Sequence, residues 1–242
     1  MQTSKQPECE GVGKVILEKT PVPEYALKKI HAGSVEIVSS PLDNSEIDKI
    51  SSLLASANNY LYIEQFYIDP WGAGKNPFLE SAINAARNNA KVRILLDSTW
   101  YNVEDNDPKS NLVAADYAND IAKNESLDLE AKVYEGNLYE KIHSKVFFSD
   151  EISFISSINW NENSAKNNRE IGLVVRGGDI SNYYKPFFEA DFEGRYPSRK
   201  PDEITGFISA NSSIWIFVIV GVIALAVVIL FLRNDKNGPR QS

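Results

Sequence analysis

Residues 214–232 read IWIFVIVGVIALAVVILFL, nineteen in a row without a charge or a proline. At about 1.5 Å of rise per residue, a helix of that length matches the roughly 30 Å hydrocarbon core of a bilayer. Every face of such a helix is apolar and the chain ends ten residues later, which makes a buried core helix the weaker reading. Trp215 stands near one end, where interfacial aromatics collect, and Arg233 closes the other. The basic tail, residues 233–242, carries three basic side chains and one acid, while Asp202 and Glu203 lie on the opposite flank. A single-pass membrane protein with a C-terminal anchor is expected, its tail on the cytoplasmic side by the positive-inside tendency. The opening stretch MQTSKQPECEGVGK contains no apolar signal core, so the side on which the rest of the chain sits stays open.

The remainder has the makings of a folded core. Of the 242 residues 43% are apolar, and there are eleven tyrosines and eleven phenylalanines, which sets the chain apart from disordered sequences. A net charge of −8 argues against a broad, sequence-independent grip on nucleic acid, which needs clustered Lys and Arg. Cys9 is the single cysteine, and there are two histidines. An internal disulfide is impossible, a Cys- or His-based metal centre is not expected, and no cofactor is implied.

Strand-like and helix-like stretches alternate through the middle of the chain. Strands are predicted at residues 35–38, 60–67, 91–96, 131–134, 143–148, 152–157 and 171–175. Helices are predicted from Asn44 or Ser45 to about 54, from Asn76-Pro77 to about 89, over 111–123 and over 180–192. This order predicts an α/β sandwich, a central mixed sheet flanked by helices, with a C-terminal transmembrane helix added. Residues 1–33 form an arm and 34–196 the folded domain. Residues 197–213, polar and holding Pro201 and Gly206, form a linker to the membrane.

The chemistry concentrates in HSKVFFSD, residues 143–150, and the SSINW and NNREIGLVV that follow. On an extended segment residues i and i+2 share a face, so His143 and Lys145 reach into one space. Lysine offers a point charge, and Ser157 and Asn159 offer directional donors, a set that suits a phosphate group. An imidazole is neutral and nucleophilic near pH 7. Glu64 and Gln65 end a predicted strand, where α/β folds place ligands. Tyr60, Tyr62 and Phe66 read most simply as core.

His143, Lys145 and Asp150 in HxKxxxxD spacing, followed by Ser157-x-Asn159 and Asn168-x-Glu170, resemble the phospholipase D superfamily. LYIEQFYI at residues 61–68 is similar to a strand in the second half of its two-repeat members. The resemblance covers residues 34–196. Ser156 stands where the family has glycine, and the stretch between Asp150 and Ser156 is one residue short, which shortens a hairpin turning at Ser149-Asp150-Glu151.

The resemblance implies metal-independent phosphodiester chemistry. His143 would be the nucleophile, forming a phosphohistidine, or the acid. Lys145, Ser157, Asn159 and Gln65 would bind the phosphate, and Glu170 would fix the imidazole tautomer. Asp150 completes the catalytic motif, with a place at the turn that favours a structural role. The motif occurs once, and His31 has no lysine two places on, so half a site is present. A homodimer, or a second chain bearing the same motif, would supply the other half. Phospholipid head groups are the expected substrate. The alternatives are a dimeric single-motif nuclease and a non-catalytic phosphate- or lipid-binding half-site.

Overall fold

The computed structural model describes residues 29–195 except 73 and 137. The predicted linker, membrane span and basic tail, and nearly all of the N-terminal arm, lie outside the described residues. Residues 29–134 and 141–195 belong to one compact unit, and residues 135–140 group with another. Among the described residues no helix is long and apolar enough to cross a membrane.

Seven strands form one mixed sheet: β1 (Ser34–Ser39), β2 (Tyr60–Gln65), β3 (Lys91–Leu96), β4 (Leu129–Val133), β5 (Lys145–Ser149), β6 (Ile152–Ser156) and β7 (Ile171–Arg176). Their order is β1-β7-β6-β5-β2-β3-β4. β2, β3 and β4 run parallel, while β1, β7, β6, β5 and β2 pair antiparallel in turn. The sheet is thus half parallel and half meander. One edge collects the ends of β1, β2, β3, β4 and β6 and the starts of β5 and β7.

The helices are α1 (Asn44–Ala55), α2 (Pro77–Arg87), α3 (Asn111–Glu125), α4 (Glu162–Lys166) and α5 (Gly178–Phe192). The α1 cap is Asp43, one residue before the predicted one. Its carboxylate takes the Glu46 amide while Glu46 returns a bond to the Asp43 amide, a reciprocal box. α2 starts at Asn76-Pro77, with the Asn76 side chain accepting from Phe78 and Leu79. α1, α2 and α3 bury Ile50, Leu54, Phe78, Ile83 and Ala118 against Ile63, Ile94, Phe147 and Phe154 on one sheet face. α5 covers part of the other face, where the Phe188 ring stacks on Tyr62 at 4.8 Å and meets Phe148 edge-on. Tyr60 and Tyr62 are therefore core, as expected, but Phe66 is not: β2 ends at Gln65, and Phe66 turns out of the ladder.

The hairpin between β5 and β6 turns through Asp150-Glu151 alone. Ser156 lies opposite Gly172 on β7, and a β-carbon on that glycine would come within 2.7 Å of the Phe154 ring and 3.1 Å of Ser156 Cβ. The serine fits because its cross-strand neighbour has no side chain. Its hydroxyl donates to the Lys145 carbonyl at 3.1 Å and tightens β6 onto β5.

Candidate active site

β5 begins at Lys145, so His143 and Ser144 precede the strand rather than lying in it. Two buried carboxylates hold this segment from either side. Asp97, at the end of β3, accepts from the Ile142 amide at 2.7 Å. Its other oxygen accepts from the Thr99 amide and the Asn102 side chain. Glu64, near the end of β2, accepts from the Ser144 hydroxyl and from the Tyr184 hydroxyl of α5. Glu64 is 4% exposed, and burial pushes its carboxyl up against the pull of those two donors. Alternation along the segment sends Ser144 to the α5 face and leaves His143 and Lys145 on the other.

Lys145 sits at the centre. It is 5% exposed, its ammonium donates to the His143 carbonyl at 2.6 Å, and it lies 4.8 Å from the centroid of the Phe66 ring. Burial brings its pKa down to about 8, against the opposing charges of Glu170 and Asp97. A lysine with one carbonyl and one aromatic face as neighbours keeps donor capacity for an anion. Directly across the ladder from it stands Gln65, fully buried, with neither amide atom hydrogen-bonded. Asn159, just past β6, likewise holds a buried amide oxygen without a partner.

His143 is exposed, its ring packed edge-on against Phe66 at 4.6 Å. Partial burial lowers its pKa below the ordinary histidine value, as do Lys145 and Lys141, while Asp97 pulls the other way. The imidazole is therefore neutral at pH 7.

Glu170 takes hydrogen bonds from Ser157 at 2.6 Å, Ser164 at 3.0 Å and Asn168 at 3.2 Å. Burial alone would raise its pKa. The three donors and the Lys145 charge outweigh burial, so the carboxyl lies below its ordinary value. Its backbone is fixed to Ser40, whose hydroxyl accepts from the Glu170 amide at 2.8 Å. Glu170 is thus engaged by Ser157, Ser164, Asn168 and the charge of Lys145, not by the imidazole that the resemblance implied. Ser157 is bound to this carboxylate rather than presented to a ligand.

Asp150, included in the catalytic motif but expected at a turn, stands apart from these groups. It lies at the other end of β5, about 17 Å along the strand from Lys145 at roughly 3.3 Å per residue. Its carboxylate accepts from the Asn59 amide at 3.0 Å and ties the α1–β2 connection to the hairpin. The motif spacing spans a strand length, and that separates Asp150 from Lys145 and His143.

Sequence reasoning missed Asp97 and Phe66 as members of the site. Asp97 had one visible signal, a carboxylate at the end of an apolar strand. Among the described residues no group of three or more His, Cys, Asp or Glu is placed to hold a metal ion.

The sequence model of the family "cardiolipin synthase, PLD-like domain" matches residues 50–192, more than half of the chain. The chain belongs to this phospholipase D-like family of phosphodiesterases. In fold it is similar to Nuc from Salmonella typhimurium, a phospholipase D family member. That match has a TM-score of 0.53 at 14% identity, over 66% of this chain and 94% of that one. NucT from Helicobacter pylori matches with a TM-score of 0.51 at 18% identity, over 66% of this chain and 96% of that one. No curated protein matches the chain.

Proposed function

We propose that this chain is a membrane-anchored phosphodiesterase of the phospholipase D type, cleaving phospholipid head groups as a dimer and without a metal. One observation carries the reading: an exposed, neutral His143 stands beside a buried Lys145 whose cross-strand neighbour, Gln65, has an unpartnered amide. A phosphate accepting from the Lys145 ammonium and from the side-chain NH2 groups of Gln65 and Asn159 would neutralise the lysine charge and satisfy the buried Gln65 donor. Its phosphorus would then face the imidazole.

In the first step the imidazole nitrogen forms a bond to phosphorus and the ester P–O bond breaks. The leaving oxygen takes a proton from a second histidine, which enters the step as the imidazolium while His143 enters neutral, the pair sharing one proton. In the second step water attacks the phosphohistidine, gives its proton back to that second histidine, and releases His143. Lys145 holds the phosphoryl oxygens throughout. Glu170 supports the charge of Lys145, and Asp97 and Glu64 position the segment that carries both groups.

The second histidine comes from another copy of this chain. The chain has two histidines, and His31 lies two residues before Gly33, which bonds to Arg176 at the end of β7 away from the site. A two-fold axis near an exposed His143 would bring two copies of it together. The anchor is residues 214–232, linked through 197–213 to a catalytic unit of residues 34–196.

The intermediate gives the test. Chain incubated with a short-chain phospholipid and quenched in base should carry an acid-labile phosphoryl adduct on His143, seen by mass spectrometry. An adduct-free His143 in a preparation that turns substrate over would refute the mechanism.

A further inference from the structure

A row of aromatic rings leads outward from His143. Its ring meets Phe66 at 4.6 Å, Phe66 meets Tyr101 at 6.1 Å, and Tyr101 meets Trp100 at 5.3 Å. Trp100 is 71% exposed and Tyr101 39%, although a tryptophan is ordinarily well covered. Both lie on a short 3-10 turn, Trp100–Asn102, which is firmly mounted. The Asn102 side chain donates to Asp97 at 2.9 Å, and its carbonyl accepts from the hydroxyl of Ser110, the N-cap of α3. The first turn of α3 adds Leu112 and Val113, both exposed. Lys141 reaches the Tyr101 hydroxyl at 3.5 Å. Two exposed aromatic side chains thus continue from the Phe66 wall of the site, on a turn held by the same Asp97 that holds the Ile142 amide, and Leu112 and Val113 add exposed apolar surface where α3 begins.

We infer that this rim, Trp100 and Tyr101 with the exposed Leu112 and Val113 of the helix that follows, is the surface by which the domain settles on a lipid bilayer, with His143 turned toward the head-group phosphates. The inference rests on the membrane-anchored reading proposed above and adds the docking face to it. Tryptophan and tyrosine, each an apolar ring with a polar edge, partition to the head-group level of a bilayer, and lysine extends its charge there. Leu112 and Val113 have apolar surface to bury and nothing with which to read a polar ligand.

The chain outside the described residues argues for the same occupant. The described residues end at Arg195, and eighteen residues separate it from the uncharged run of 214–232. Eighteen residues span at most about 60 Å when extended. A domain held on such a tether meets the bilayer repeatedly, and a modest apolar rim suffices to orient it. Stacking of nucleobases would use the same rings. Glu104, Asp105 and Asp107 follow the turn in sequence and disfavour a polyanionic backbone beside the rings.

The test uses the full chain with Cys9→Ser, which removes its one cysteine, and a new cysteine labelled with a fluorophore. The label is placed at Leu112→Cys on the rim or at Lys91→Cys, at the start of β3 on the far edge of the sheet. The protein is reconstituted into phosphatidylcholine–phosphatidylglycerol vesicles containing doxyl-labelled lipid. Quenching at position 112 and not at 91, abolished by Trp100→Ala with Tyr101→Ala, is expected. Equal quenching at both positions, or none at 112, overturns the inference, as does a response at 112 to a single-stranded oligonucleotide and not to lipid. Flotation of the same vesicles separates the two readings. Protein that floats with an unquenched rim keeps the anchor and loses the docking face. A quenched rim without phosphodiester turnover keeps the docking face and refutes the enzyme.

Discussion

Lys145 holds a positive charge in a place that folding alone would not choose, and the strain is measurable. Its pKa falls from 10.5 to about 8. At about 1.4 kcal/mol per pH unit, that corresponds to roughly 3 kcal/mol of unfavourable charge burial at neutral pH. Lys145→Met keeps the length and apolar stem of the side chain while removing the charge. It also leaves the His143 carbonyl without the lysine bond, a loss of about 1 kcal/mol. The variant should therefore be more stable than the parent by about 2 kcal/mol at pH 7 while losing all turnover. The pH dependence fixes the cause. Below pH 8 the lysine is protonated in both folded and unfolded chains, and the folded state carries the full penalty. Between about pH 8 and 10.5 the unfolded chain binds the extra proton, so the stability of the parent rises relative to the variant. Urea unfolding of the soluble region in the detergent-held full chain, followed by far-UV circular dichroism at pH 7 and pH 10, measures both values. A variant less stable than the parent at pH 7, or a difference that does not shrink by pH 10, would refute the argument that the site stores an uncompensated charge for its ligand.

Other consequences follow from the same geometry. The value of kcat/KM should trace a bell against pH. Its acid limb marks the attacking His143, which must be neutral and lies below the ordinary histidine value, and its alkaline limb marks the second histidine, which must be protonated. Glu170→Gln removes a charge that raises the Lys145 pKa, so the Lys145 ammonium, followed by NMR, should titrate at lower pH. An unmoved titration would show that Glu170 does not act on the lysine. Glu64→Leu strands the hydroxyls of Ser144 and Tyr184 and should cost about 1–3 kcal/mol in stability, whereas Glu64→Gln should fold well and lower kcat with little change in KM. Asp150→Ala should lose about 1 kcal/mol of stability and keep full activity, since its carboxylate serves the Asn59 amide.

The alternating elements were legible because their apolar periods are long and their caps explicit, as in Asn76-Pro77 at α2. α4 was not: ENSAK is five residues with no apolar stripe, held by the Asn161 cap and the packing of Ala165. His143, Lys145 and Glu170 were legible as a set because their spacing is tied to strand lengths in a local hairpin. The partners that hold them are another matter. Asp97 meets Ile142 across 45 residues and Glu64 meets Ser144 across 80, and such contacts exist only once β3, β2 and β5 share a sheet. Phe66 was misread because strand alternation was carried two residues too far, to 67 where β2 ends at Gln65. Beyond Gln65 the chain leaves the ladder, and a side chain assigned to the core becomes the wall of the site. Asp150 shows the converse, a residue whose place in the motif is obvious in sequence and whose distance from the histidine appears only when the strand is drawn out.

The most direct test of the central claim is phosphodiester hydrolysis by the detergent-purified full chain in excess EDTA, over a range of protein concentrations, with His143→Ala alongside. The account predicts activity that survives chelation, vanishes in the variant, and rises per protomer with concentration as two half-sites meet. Activity that persists in His143→Ala, or that EDTA abolishes, would contradict it.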